Sequence, residues 1–144
     1  MKRPLSEMAA TFDAAAEALE VFEDTPAGSW RKVLTQSVLD RAEVDRSDVV
    51  LDLGCGTGLI ARHLAPHVSR VVAVDCSPKA LSIAREKSAG LKNIHWLRGD
   101  LRDPPGVPDL TTVVYCNAMR YLAPAERKLT LRRVWDMLPE DGLI

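Results

Sequence analysis

The run Val49-Val50-Leu51-Asp52-Leu53-Gly54-Cys55-Gly56-Thr57-Gly58 constrains this chain more than any other stretch. Its first five residues read as a short buried strand, because four are apolar and two of those are β-branched. Glycine then occupies every second position at 54, 56 and 58, and Leu59-Ile60-Ala61-Arg62-His63-Leu64 reads as a helix. A strand that passes through glycines into a helix brings bare backbone up to a ligand at the helix N-terminus. A plain turn does not require three alternating glycines, each of which loses more conformational entropy on folding than any other residue.

The remaining chain alternates in the same way. Arg70 to Asp75 is a second apolar strand ending in an acid, 17 positions after Gly58. Ser77 and Pro78 are a helix cap and a first-turn proline, and Gly90 closes that helix. Asn93 to Arg98 forms a third strand, followed by Gly99-Asp100-Leu101, and Leu110 to Cys116 forms a fourth. Pro124 opens a helix with Leu131, Val134, Trp135 and Leu138 inward and Arg127, Lys128, Arg132 and Arg133 mostly outward. Strands and helices in regular alternation imply a doubly wound, mostly parallel α/β sheet.

Two helices precede this core. Met8, Phe12, Ala15, Leu19 and Phe22 fall on one helical face, with Ser6 as the cap. Asp24-Thr25-Pro26-Ala27-Gly28 breaks the helix, and Ser29 caps a second one with Trp30, Val33, Leu34, Val38 and Ala42 on its apolar face. Residues 1–48 are thus expected to be a helical cap segment on an α/β core of residues 49–144.

At 144 residues the chain suits a single domain with its own core. Its net charge of −1 gives no general attraction to nucleic acid or anionic membranes, and no segment reads as a signal peptide or a membrane span. Three cysteines without a C-x-x-C pair suggest neither a disulfide framework nor a metal site. A cytoplasmic protein with reduced thiols is expected.

The glycine run, with Asp52 two residues ahead of it, resembles motif I of the class I S-adenosylmethionine (SAM)-dependent methyltransferases. The dinucleotide fingerprint G-x-G-x-x-G places its third glycine one residue later. The resemblance extends from Val49 to the end, with its landmarks in family order. It implies a Rossmann-like fold and SAM as cofactor. Asp52, Gly54, Cys55, Gly56 and Gly58 would face its methionine part, and Asp75 both ribose hydroxyls. Cys76 would lie by the adenine, Asp100 would take the exocyclic amine, and Leu101 would pack on the ring. Asn117, with Ala118 and Met119, would lie below the sulfonium. Arg120 and Tyr121 are candidates for contact with the methyl acceptor. Asp103-Pro104-Pro105-Gly106 precedes the fourth strand and lacks an aromatic. It therefore does not match the D-P-P-Y of amino-methylating DNA enzymes, and a small-molecule acceptor is expected.

The family sheet has seven strands, whereas only Leu143 and Ile144 follow the turn Glu140-Asp141-Gly142. The last strands are thus expected to be absent, leaving the fourth strand at or near an open edge that self-association would cover; a fragment of a longer chain is the other reading. Two further functions compete with a methyltransferase. One is a non-catalytic SAM-binding or interaction module; the other is a nicotinamide-dependent oxidoreductase, disfavoured by the glycine spacing and by Asp100. No general base stands out, since His63, His67 and His95 read as surface or packed residues. Cys55, Cys76 and Cys116 gather at the ligand edge of such a sheet. They read as small packing residues, the alternative being a thiol-dependent acceptor chemistry.

Overall fold

The computed structural model describes residues 3–23 and 29–144, apart from the side chains of residues 19–32 and 34. The break at 24–28 and the side chains of Leu19, Phe22, Ser29, Trp30 and Leu34 lie outside the described residues. Two helices, α1 (Leu5–Glu23) and α2 (Ser29–Ala42), lead into strand β1 (Val49–Leu53). There follow α3 (Leu59–Leu64), β2 (Arg70–Asp75), α4 (Pro78–Lys87), β3 (Ile94–Arg98), β4 (Thr112–Val114) and α5 (Pro124–Trp135). The sheet order is β3-β2-β1-β4, with every pair parallel. The expected Rossmann-like α/β architecture is therefore present.

Strand alternation divides the core between the two faces of the sheet. Val50, Val71, Ala73 and Ile94 pack with Ile60, Ala61 and Leu64 of α3, and Val38 and Leu39 of α2 lie against them. Leu51, Leu53, Val72 and Val74 face the other way and pack with Val134 of α5. β1 is buried throughout because it has neighbours on both sides and helices on both faces. Asp52 shares its face with Val50, which places a carboxylate inside the layer beneath α3.

Several expected details shift. α1 starts at Leu5, so Ser6 is inside the helix rather than its cap, and α4 stops at Lys87, short of Gly90. Ser77 does cap α4, with its Oγ accepting from Ala80 N–H at 2.9 Å. β4 is shorter than Leu110–Cys116, because its ladder with β1 pairs only Thr112, Val113 and Val114. In α5 the buried stripe is Thr130 and Val134, while Leu131 and Trp135 are 40% and 70% exposed. The apolar periodicity is displaced by one residue because Thr130, a polar residue, takes an inner position. Val33 of α2 is likewise exposed. Arg127 and Arg133 stay exposed as expected, though Arg133 donates to the Arg102 carbonyl and Arg127 Nε to the Leu122 carbonyl at 2.9 Å. The outer side of β4 is not wholly bare. Val113 N–H donates to the Leu143 carbonyl at 2.8 Å, and Leu143 N–H donates to the Thr111 carbonyl at 3.0 Å.

Candidate functional site

A cavity of about 260 Å³ opens at the carboxyl ends of β1, β2 and β4, where the strand order reverses between β1 and β4. Open α/β sheets bind ligands at that crevice, because loops to opposite faces part there. The turn after β1 is built by its glycines. Gly54, Gly56 and Gly58 have φ of 78°, 55° and 82°, a region that side chains rarely enter. Backbone N–H groups of Gly54 and Cys55 both donate to the Val74 carbonyl, at 2.8 and 3.0 Å, which locks the turn to β2. A Cβ at Gly54 would overlap Ala118, and one at Gly58 would overlap the Trp96 ring, whereas one at Gly56 meets nothing within 4 Å. Gly56 therefore presents open backbone to the cavity, while Gly58 allows α3 to approach β3 and α4. Gly58 does not line the cavity.

Three acids reach this space from three strand ends. Asp52 is 1% exposed, and its Oδ2 has no hydrogen-bond partner. Burial, then the nearby charge of Asp75, pushes its pKa up to about 7, and the Ala61 N–H pulls only partway back. Asp75 accepts from Gly56 N–H at 2.8 Å through Oδ2 and from Ser77 N–H at 2.9 Å through Oδ1. Burial still raises its pKa above the usual carboxylate value despite those bonds. Asp100 is held by Arg102 in an ion pair of 2.6 Å. The cavity thus has an acidic wall suited to a ligand rich in donors.

Of the residues singled out in the sequence, Asp52, Gly54, Cys55, Gly56, Asp75, Cys76, Asp100, Leu101, Asn117, Arg120 and Tyr121 all line this one cavity. Sequence reasoning missed Thr35, Leu59, Ile60 and Gly99 as lining residues. Met8 and Phe12 of α1 also contribute, so the first helix both packs on the body and closes the cavity. Phe12 meets Tyr121 edge to face with centroids 4.8 Å apart, and the Arg120 guanidinium sits 5.6 Å from the Tyr121 ring centre. Thr35 had no sequence signal, being one polar residue in the middle of a helix.

The thiols of Cys55, Cys76 and Cys116 border the same cavity. Burial raises Cys55 well above its ordinary value and Cys76 to about 11, so both are protonated thiols at neutral pH. That favours packing over thiolate chemistry for these two. Among the described residues no group of three or more His, Cys, Asp or Glu side chains is arranged to hold a metal ion.

Parallel strands, a glycine turn at the switch point and acids on successive strand ends define a Rossmann-like cofactor-binding protein. The chain matches the methyltransferase-domain family over residues 50–142, and it belongs to that family. It is 28% identical over 128 residues to a putative methyltransferase of Geobacillus sp. (strain WCH70), covering 87% of this chain and 51% of the relative. It is 36% identical over 104 residues to the trans-aconitate 2-methyltransferase of Mycobacterium tuberculosis (strain ATCC 25177 / H37Ra), covering 71% of this chain and 38% of the relative. In fold it is similar to the Haemonchus contortus phosphoethanolamine N-methyltransferase 1, solved with phosphoethanolamine and S-adenosylhomocysteine. The TM-score there is 0.83 at 18% identity, covering 96% of this chain and 30% of that one. The chain spans about half the length of the first relatives it matches.

Proposed function

We propose that this chain binds SAM in the β1–β2–β4 cavity and serves a SAM-dependent methyl transfer to a small molecule. The observation that carries this reading is the pairing of Gly56, open to the cavity, with three carboxylates at successive strand ends around it. Two features fit the cofactor. The unpartnered Oδ2 of Asp52 suits the methionine ammonium, and the backbone at Gly56 gives room for the chain that bears the sulfonium. Asp75 is fixed through two backbone N–H bonds and keeps acceptor capacity for the ribose hydroxyls. Asp100 and Leu101 would meet the adenine, and Asn117 would stand under the sulfonium.

SAM supplies an electrophilic methyl group on sulfur. The protein's part is to hold the donor rigidly, exclude water and line up the acceptor, since orientation accounts for much of the acceleration of an in-line displacement. Met8 and Phe12 exclude water from above, and Arg120 and Tyr121 stand at the rim for the acceptor. Relatives named for trans-aconitate and phosphoethanolamine support an acceptor of that size.

Residues 1–48 act in this reading as a cover and residues 49–144 as the cofactor-binding core. No helix of the described residues is long and apolar enough to cross a membrane. We place the protein in the cytoplasm, and its near-zero net charge supports a reading in which it engages neither nucleic acid nor an anionic membrane surface. Self-association would cover the outer side of β4, and sedimentation across a concentration series tests it. Calorimetry with S-adenosylhomocysteine (SAH) and NAD tests the cofactor: tight binding of SAH and none of NAD is expected, and the reverse would sink the reading. Labelled-methyl transfer to an acceptor panel then separates an enzyme from a binding module.

A further inference from the structure

Asp100 is gripped by Arg102. Arg102 Nε donates to Oδ1 at 2.8 Å and to Oδ2 at 2.9 Å, and Nη2 donates to Oδ2 at 2.6 Å. The Arg102 backbone N–H adds a bond of 2.9 Å to Oδ1. The side chains are only 5% exposed for Arg102 and 16% for Asp100. The fork is therefore set by packing and differs in kind from a solvated surface pair. The other arm of the guanidinium is engaged elsewhere. Nη1 donates to the Arg3 carbonyl at 2.9 Å and to Glu126 Oε1 at 3.2 Å. Glu126 Oε2 in turn accepts from Ala123 N–H at 3.0 Å, ahead of α5. Arg102 is thus anchored to the start of α1 and to α5. It does not line the cavity, whereas Asp100 does.

We propose that Arg102 is a positioning residue for the cofactor's base, holding Asp100 ionised and aimed so that the site selects adenine over hypoxanthine. The inference rests on the reading of the cavity as a SAM site. An arginine stays charged at any working pH, and a carboxylate paired with it carries no proton to donate. Such a group can accept from the exocyclic amine of adenine but faces the O6 acceptor of hypoxanthine without a shared hydrogen. With an apolar residue at 102, the carboxyl loses its counter-charge and the three guanidinium hydrogen bonds that aim it at the base. Preference for the amine then collapses even where the fold survives. Lysine restores the charge without the planar fork, so it should restore only part of the preference.

The experiment is calorimetric titration of SAH and of S-inosylhomocysteine, its deaminated analogue, into the protein and its Arg102→Met and Arg102→Lys variants. Folding of each is checked first by circular dichroism. The wild-type chain should favour SAH by roughly tenfold or more, in keeping with a hydrogen bond to a charged group. Arg102→Met should lose most of that ratio, and Arg102→Lys should fall between. If both ligands weaken by the same factor, Arg102 is only a structural support and the proposal is overturned. A wild-type chain that binds SAH without preference overturns it too. If Arg102→Met does not fold, Arg102→Lys decides, and an unchanged ratio there counts against the proposal. Binding of neither ligand by the wild type refutes the cofactor reading itself.

Discussion

At the strand ends the cavity is walled by carboxylates and glycines fixed through backbone, whereas its rim is walled by side chains that arrive from α1 and from the turn after β4. Asp52 is buried within the sheet layer and Asp75 is tied to two loops by main-chain bonds. At the other end Tyr121 is 56% exposed and held by ring contacts with Phe12 and Arg120. The difference teaches where precision is needed. A cofactor of fixed shape can be met by rigid groups, while an acceptor is met by groups that can adjust.

The contrast is tested most severely at Gly56. Gly56→Val forces a β-branched side chain to φ 55° and fills ligand space. Binding of SAH by calorimetry should fall by about a hundredfold or more, and a folded variant with normal affinity would refute the assignment of the turn. Next in size is Asp75→Ala, expected to weaken SAH binding by roughly 1.5–3 kcal/mol while the protein stays folded. Unchanged affinity there removes Asp75 from the ribose.

A third test uses pH. The folded protein holds the Asp52 proton more tightly than the unfolded chain, whose value is near 3.8. This group therefore costs stability as pH rises from about 3.8 towards about 7, and a bound ammonium recovers it. If the ammonium meets Asp52 as proposed, it meets the ionised form, so SAH affinity should drop about tenfold between pH 8 and pH 6. Asp52→Asn should flatten that profile, and a flat wild-type profile would remove the ion pair from the account. The rim gives the smallest effect. Tyr121→Ala should change SAH affinity by less than about 1 kcal/mol, the scale of one aromatic pair. A larger loss would show that the rim belongs to the cofactor and would erase the contrast drawn above.

How legible each part was follows from how local its cause is. The glycine turn and Asp75 could be read because strand, turn and helix succeed one another along the chain, and each glycine answers a local backbone angle. Trp135 and Leu131 misled because a stripe built on Thr130 and Val134 gives the same spacing one residue earlier. Thr35 reaches the cavity through packing between segments far apart in sequence, which no local pattern records, whereas Met8 and Phe12 belong to the helical stripe read as a cap. The grip of Arg102 on Asp100 spans only two residues, yet it depends on burial by α1 and α5. Gly58 was read as part of the ligand turn because its spacing continues that of Gly54 and Gly56, but the constraint on it is the Trp96 ring.

The fastening of α1 has a bearing on time as well as on affinity. Asp13 Oδ1 accepts from Ser77 Oγ at 2.5 Å and from Lys79 N–H at 3.0 Å, while Ser77 Oγ itself accepts from Ala80 N–H. One α1 carboxylate is therefore built into the cap of another helix, next door to Asp75. A cover pinned there cannot lift without breaking both of these bonds and leaving the Lys79 N–H without its Asp13 acceptor, so opening costs hydrogen bonds at the first turn of α4. The dwell time of whatever lies beneath then depends on how often this pair of Asp13 bonds breaks.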